Sequence, residues 1–161
     1  MSIEIGDKWP EAELVTMGAS GTETVDLARF LAGRKIVLFA LPGAYTGTCS
    51  TAHLPSFIRT AEAFRAQGVD AICCLSVNDP YVLDAWAKVT GADKAGIVML
   101  ADAGGVLTAK LGMAFTYPPK GFYGRSNRYA VLIEDGVVTR VQIDRPGECS
   151  VSTGEALLAE L

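Results

Sequence analysis

The chain holds four cysteines and one histidine, and one cysteine stands in a setting unlike a hydrophobic core. Cys49 closes the segment Pro42-Gly43-Ala44-Tyr45-Thr46-Gly47-Thr48-Cys49, among Gly, Thr and Ser rather than aliphatic residues. A cysteine taken at random is a small buried hydrophobe; this polar, turn-rich context shifts the balance to a reactive thiol. The thiolate is the nucleophilic form of sulfur, and the hydroxyls of Thr46 and Thr48 can donate to a thiolate or to a bound oxygen. Cys73 and Cys74 differ. They lie in Ile72-Cys73-Cys74-Leu75, where strand alternation sends them to opposite faces, so at least one belongs to the core. Cys149 follows Pro146-Gly147-Glu148 and is more exposed by context. His53 comes four residues after Cys49 and shares its helical face. A Cys–His pair raises a cysteine hydrolase, with His53 as general base; a histidine bonded to nearby backbone is the plainer alternative.

The elements that must hold Cys49 follow from the hydrophobic pattern. Residues 36–41 (Ile-Val-Leu-Phe-Ala-Leu) form a short apolar run bounded by Pro42-Gly43, which reads as a strand buried on both faces. Residues 51–67 carry apolar side chains at helical spacing, with Gly68 as the stop and Pro55 as a bend. Cys49 therefore falls beyond the carboxyl end of a buried strand and at the start of a helix. Sites of open parallel sheets form there, and the amides and partial positive charge of a helix start favour a thiolate.

Residues 69–77 read as a second buried strand. Asn78 or Asp79 caps a helix over 81–89, with Pro80 in its first turn. A strand over 96–100 and a short helix over 105–111 follow. Asp135-Gly136 joins strands 128–134 and 137–142 in a hairpin. Ser152-Thr153-Gly154-Glu155 is a capping box that opens a helix running to Leu161. The expectation is one α/β domain over 1–161, with a central mixed β-sheet covered by helices on both faces, a layout compatible with a thioredoxin-like fold.

Composition narrows the function classes. The chain has 161 residues, 50% of them hydrophobic, enough for a core without disulfides or metal. Fourteen basic residues against eighteen acidic leave a net charge of −4, which argues against a nucleic-acid binder. No apolar run reaches the roughly eighteen residues of a membrane span, and the N-terminus lacks the order of a signal peptide; a cytoplasmic location is expected. Paired Cys/His spacing for zinc is missing, so neither metal nor cofactor is expected. A dithiol oxidoreductase would show Cys-x-x-Cys, whereas Ser50, Thr51 and Ala52 follow Cys49. A non-catalytic scaffold is the remaining alternative, and it would tolerate Cys49→Ser.

The segment from Pro42 to Ser50 resembles the peroxiredoxin active-site loop: Pro, three residues, Thr or Ser, two residues, Cys. Thr51-Ala52-His53-Leu54-Pro55, Cys74-Leu75-Ser76-Val77-Asn78-Asp79-Pro80 and Arg125-Ser126-Asn127-Arg128-Tyr129-Ala130 are similar, in order, to the type II, peroxiredoxin-5-like branch. Gly47 is a departure, since that branch commonly has Pro between the two threonines. The resemblance implies a thioredoxin-like fold, a homodimer, and a thiol peroxidase acting on hydrogen peroxide and organic hydroperoxides. It places Cys49 as the peroxidatic cysteine, Thr46 as its hydroxyl partner, Arg128 as the guanidinium of the site, with Arg125 a weaker claimant, and Pro42 as a shield for the thiolate. It leaves Cys74, Cys149 or an external thiol (glutathione, glutaredoxin or thioredoxin) to resolve the Cys49 sulfenic acid. The aromatics Phe39, Tyr45, Phe115, Tyr117, Phe122 and Tyr123 divide among core, cleft wall and subunit contact in a way the sequence does not reveal.

Overall fold

The computed structural model describes residues 2–161 and begins with a hairpin that no hydrophobic pattern marks. Strands β1 (Glu13–Gly18) and β2 (Gly21–Asp26) pair in antiparallel fashion; β2 is largely exposed, so its side chains carry no apolar run. Asp26 caps the short helix α1 (Leu27–Leu31) by accepting from the Arg29 amide. Strand β3 (Lys35–Ala40) is buried from Ile36 onward, as its unbroken apolar run requires. After the loop, helix α2 (Leu54–Ala66) is preceded by a wide, π-type turn over Cys49–His53.

That turn corrects the expectation of one regular helix over 51–67 bent at Pro55. Proline has no amide hydrogen to give to the preceding turn. The chain instead widens before it: the Leu54 amide bonds to the Cys49 carbonyl, and Pro55 then occupies the first turn of α2, where a missing donor costs nothing. Gly68, at φ 85°, ends the helix as expected.

Next come β4 (Ala71–Ser76), α3 (Pro80–Thr90), β5 (Val98–Ala101) and α4 (Val106–Lys110), each within two residues of the expected bounds. Asp79 is the cap of α3, accepting from the Val82 amide; Asn78 is used elsewhere. Strands β6 (Ala114–Tyr117) and β7 (Phe122–Ser126), joined through a 3-10 turn over Pro118–Lys120, form a separate two-stranded ribbon that the sequence did not announce. Strands β8 (Tyr129–Glu134) and β9 (Val137–Ile143) form the expected hairpin. Asp135 and Gly136 turn it with positive φ of 49° and 77°, as a two-residue turn of that hand demands.

The main sheet runs β2-β1-β5-β4-β3-β8-β9. Its centre, β3-β4-β5, is parallel and its flanks are antiparallel, so the sheet is mixed, as expected. Val37, Phe39 and Cys74 face one core, with α2 and α3; Ile36, Leu38 and Cys73 face the other, with α1 and α4. Cys73 and Cys74 thus do point to opposite faces. The register of β3 with β8 pairs Ala40 with Tyr129, which delivers Arg128, one residue earlier, beside the carboxyl end of β3. No helix among the described residues is long and apolar enough to cross a membrane.

Helix α5 (Gly154–Leu158) is shorter than expected and capped differently. Thr153 accepts from the Ala156 amide, Ser152 turns into the protein, and Glu155 pairs with Arg59 at 3.1 Å. The backbone of Gly154 lies against α2: a Cβ there would stand 2.5 Å from the Ser56 carbonyl oxygen and collide with the Thr60 hydroxyl. Gly154→Ala is accordingly expected to lower stability by about 1–3 kcal/mol in urea titrations, whereas alanine in an uncrowded first helical turn would be neutral or stabilising.

Candidate active site

Strand β3 ends at Ala40 and the chain crosses to Cys49 through a loop braced from three sides. The Arg125 guanidinium donates to the Pro42 carbonyl at 2.9 Å. A side chain at Gly43 would occupy the space of that guanidinium. The Ala44 amide donates to Asn78 Oδ1 at 3.0 Å, and the Ser76 hydroxyl donates to the same oxygen at 2.6 Å. Tyr45 takes a left-handed conformation, φ 65°, a strained backbone held only where surroundings determine it. Beyond Cys49, the Trp86 indole donates to Ser50 Oγ at 3.0 Å. Gly47 has open space where a side chain would sit, so packing places no demand on that position.

Cys49 Sγ, wholly buried, accepts from Arg128 Nη2 at 3.2 Å. Arg128, only 8% exposed, makes no ion pair with any carboxylate among the described residues. A buried cation left without an anion is costly, and the side chains that this guanidinium meets directly are Cys49 and His53. The second arm of the guanidinium, Nη1, donates to His53 Nδ1 at 3.0 Å. Arginine has no acceptor, so Nδ1 is bare, the proton sits on Nε2, and Nε2–H donates to the Ser152 carbonyl at 2.9 Å.

His53 is therefore fixed as one neutral tautomer. Burial, and then the Arg128 charge, push its pKa down to about 3. This histidine does bond to backbone, but 99 residues away in sequence rather than nearby. With its lone pair already held by Arg128, it is no general base, and the hydrolase alternative loses its base. Asp144 closes the network. It accepts from the hydroxyls of Ser150 and Ser152 and from the amides of Ser150, Val151 and Ser152. Burial alone would raise its carboxyl; the hydrogen bonds, led by Ser152, outweigh that and hold it at about 2. The Asp144 amide in turn donates to the Arg128 carbonyl at 3.0 Å.

Two expected donors are placed differently. Arg125 braces the loop instead of approaching sulfur. The Thr46 hydroxyl donates to the Gly43 carbonyl at 2.7 Å, so toward the site it presents lone pairs rather than a hydrogen; Thr48 caps no helix amide. Pro42, Thr46 and Arg128 border a cleft of about 730 Å³, walled by Phe115, Tyr117 and Phe122. Phe39 instead stacks on Phe57 in the core at 4.1 Å, and Tyr45 and Tyr123 face solvent.

Cys74 is fully buried on the Cys49 side of the sheet and Cys73 on the other. Burial pushes the Cys73 thiol up to about 12 and holds that of Cys74 well above its ordinary value. Cys149 is half-buried and sits just past the cleft residues Arg145, Pro146 and Gly147. Burial raises its thiol, while the charge of Arg128 pulls the other way. Asp144, Ser152, Asn78, Ser50 and Trp86 escaped the sequence reading as site residues. Ser152 was visible only as a helix cap, and nothing in Ile143-Asp144-Arg145 marks Asp144, because its partners converge from a folded loop.

The redoxin family model matches residues 4–158. The chain is 44% identical to the chloroplastic peroxiredoxin-2E-2 of rice, over 99% of this chain and 73% of that protein. It is 38% identical to peroxiredoxin-2D of Arabidopsis thaliana, over 99% of this chain and 98% of that one. The crystal structure of reduced Prx3 from Vibrio vulnificus in complex with hydrogen peroxide superposes with a TM-score of 0.92 at 41% identity, covering 98% of each chain. The thioredoxin-like fold agrees with these relatives: the chain belongs to the peroxiredoxin family, whose members are thiol peroxidases.

Proposed function

We propose that this peroxidase reduces hydrogen peroxide and alkyl hydroperoxides at Cys49, and that the oxidised sulfur is recycled by glutathione with glutaredoxin, or by thioredoxin. The observation that carries the proposal is the guanidinium of Arg128 aimed at a buried sulfur, with no carboxylate paired to it among the described residues. The Cys49 thiolate attacks one peroxide oxygen. The S–O bond forms as the O–O bond breaks, and the departing oxygen leaves as hydroxide or alkoxide and takes a proton. Cys49 becomes a sulfenic acid and the peroxide becomes water or an alcohol. Negative charge moves from sulfur to the leaving oxygen, and a fixed cation serves both ends of that movement. Thr46 accepts the hydrogen of the bound peroxide through its free lone pairs, and Pro42 shields one side.

For recycling, a second thiol attacks the sulfenic acid and expels water, giving a disulfide. Among internal thiols the burial pattern favours Cys149, half-buried and two residues after the cleft residue Gly147 in sequence, over Cys74, fully buried in the sheet. A homodimer and a cytoplasmic location extend the proposal from the family resemblance and the sequence pattern.

Hydrogen peroxide consumption, measured with each reductant in turn, is expected to vanish in Cys49→Ser with folding retained. Arg128→Lys, which cannot reach sulfur and His53 together, is expected to lose about 10²-fold in second-order rate; an unchanged rate would remove Arg128 from the mechanism.

Intact mass after peroxide treatment is expected to show a loss of about two hydrogens, absent in Cys149→Ser and retained in Cys74→Ser. With glutathione present, Cys149→Ser is expected to carry a glutathione adduct. The opposite pattern would make Cys74 the resolving thiol.

The network also predicts a pH dependence. His53 falls from 6.5 in the unfolded chain to about 3 in the fold, so its contribution to stability is complete above 6.5 and is lost as pH falls from there toward 3. The slope in that window approaches about 1.4 kcal/mol per pH unit. Urea midpoints of the wild type are expected to drop there and those of His53→Gln to drop less; parallel curves would refute the assignment of a neutral histidine.

A further inference from the structure

Gly43 and Ala44 are both buried, and the peptide unit between them must find its partners inside the protein. The Gly43 carbonyl and the Ala44 amide share one plane, so whatever holds one of them orients the other. Neither strand nor helix supplies those partners, since β3 ends at Ala40 and the wide turn opens only at Cys49. The unit is also soft. A Cβ at residue 43 would occupy the space of the Arg125 guanidinium, which donates to the Pro42 carbonyl at 2.9 Å. Glycine is therefore required there, and glycine rotates about its backbone bonds more freely than any other residue.

The two edges of the plane are held by different side chains. On one edge the Ala44 amide donates to Asn78 Oδ1 at 3.0 Å. On the other the Gly43 carbonyl accepts the Thr46 hydroxyl at 2.7 Å, with the Thr46 amide farther off at 3.4 Å. An amide only donates, so the Asn78 atom that faces it is the oxygen. The Ser76 hydroxyl, fully buried at the end of β4, donates to that same oxygen at 2.6 Å and fixes the asparagine in turn. A peptide unit turned over would offer Thr46 an N–H in place of a carbonyl. The hydroxyl would then accept from the backbone and point its hydrogen, not its lone pairs, toward the cleft.

We infer that Asn78 is a positioning residue for peroxide reduction: by pinning the Gly43–Ala44 peptide, it sets which way the Thr46 hydroxyl points. The inference rests on the role proposed above for Thr46, whose lone pairs take the hydrogen of the bound peroxide. Among the described residues Asn78 makes no hydrogen bond with Cys49 or Arg128, so its influence passes through one peptide plane and one hydroxyl.

The test is a double-substitution cycle, read in the full chain as the second-order rate of Cys49 oxidation by hydrogen peroxide across a range of pH. One neutral hydrogen bond is worth about three- to tenfold. Asn78→Ala is expected to lower the rate by that factor at every pH, with the midpoint of its pH profile unmoved, because the cation beside sulfur is undisturbed. Asn78→Asp, which keeps an oxygen facing the Ala44 amide, is expected to recover the rate on the upper plateau. In a Thr46→Val background, with no hydroxyl to orient, Asn78→Ala is expected to slow oxidation no further. The same factor in both backgrounds, a moved midpoint in Asn78→Ala, or no recovery in Asn78→Asp overturns the inference. If Asn78→Ala does not fold, Ser76→Ala, which leaves Asn78 in place but unfastens its side chain, runs through the same cycle with the same readings. Thr46→Val alone separates the two levels. A large loss there with an undiminished Asn78 effect strikes only this inference, whereas no loss there removes the proposed role of Thr46 and this inference with it.

Discussion

A buried guanidinium shared between a thiol and a histidine is the constraint around which this structure is organised. Arg128 spans Cys49 at 3.2 Å and His53 at 3.0 Å and pairs with no carboxylate among the described residues. Had Asp144 been its direct partner, the positive charge would have been neutralised before it reached sulfur. The fold instead separates the acid from the guanidinium by Ser152 and a neutral imidazole. The orientation of Arg128 is thus fixed by hydrogen bonds while its charge stays available to the reacting sulfur, the arrangement a displacement with migrating negative charge requires.

The remainder of the site follows from keeping those groups aligned. Strand pairing of β3 with β8 sets the distance between the Cys49 loop and Arg128. The Arg125, Asn78 and Trp86 hydrogen bonds hold the loop and the first turn from outside. Pro55 explains why that turn is wide: the helix cannot continue regularly into a residue without an amide hydrogen. Cys49 and His53 are the first and last residues of the widened turn. The segment from Asp144 to Ser152, anchored by α5 against α2, closes the network from the far end of the chain.

The remaining thiols differ in burial. Cys73 and Cys74 lie in the sheet, fully buried, where low polarity favours the protonated thiol. Cys149 is half-buried and follows the cleft residues Arg145, Pro146 and Gly147 in sequence. The segment that orients His53 through Ser152 also carries Cys149.

Local signals were enough to determine a great deal here. The apolar runs, the Asp-Gly turn and the glycine stops announced the central strands, the hairpin and most helices. The setting of Cys49 singled it out as a candidate nucleophile, and the resemblance of the ordered motifs pointed to Thr46, Arg128 and Pro42 as its partners. These features depend on residues close together in the chain, so their physics is written in neighbouring letters. The exposed hairpin of β1 and β2 and the ribbon of β6 and β7 went unmarked because half-exposed strands lack an apolar pattern. Only the tertiary structure decided that Arg125 braces a carbonyl while Arg128 faces sulfur, that Thr46 presents lone pairs, that His53 is a neutral link, and that Asp144 and Ser152 belong to the site. Each of those assignments is a choice among partners tens of residues apart, and a polar side chain selects its partner only after packing has brought the alternatives within hydrogen-bond reach.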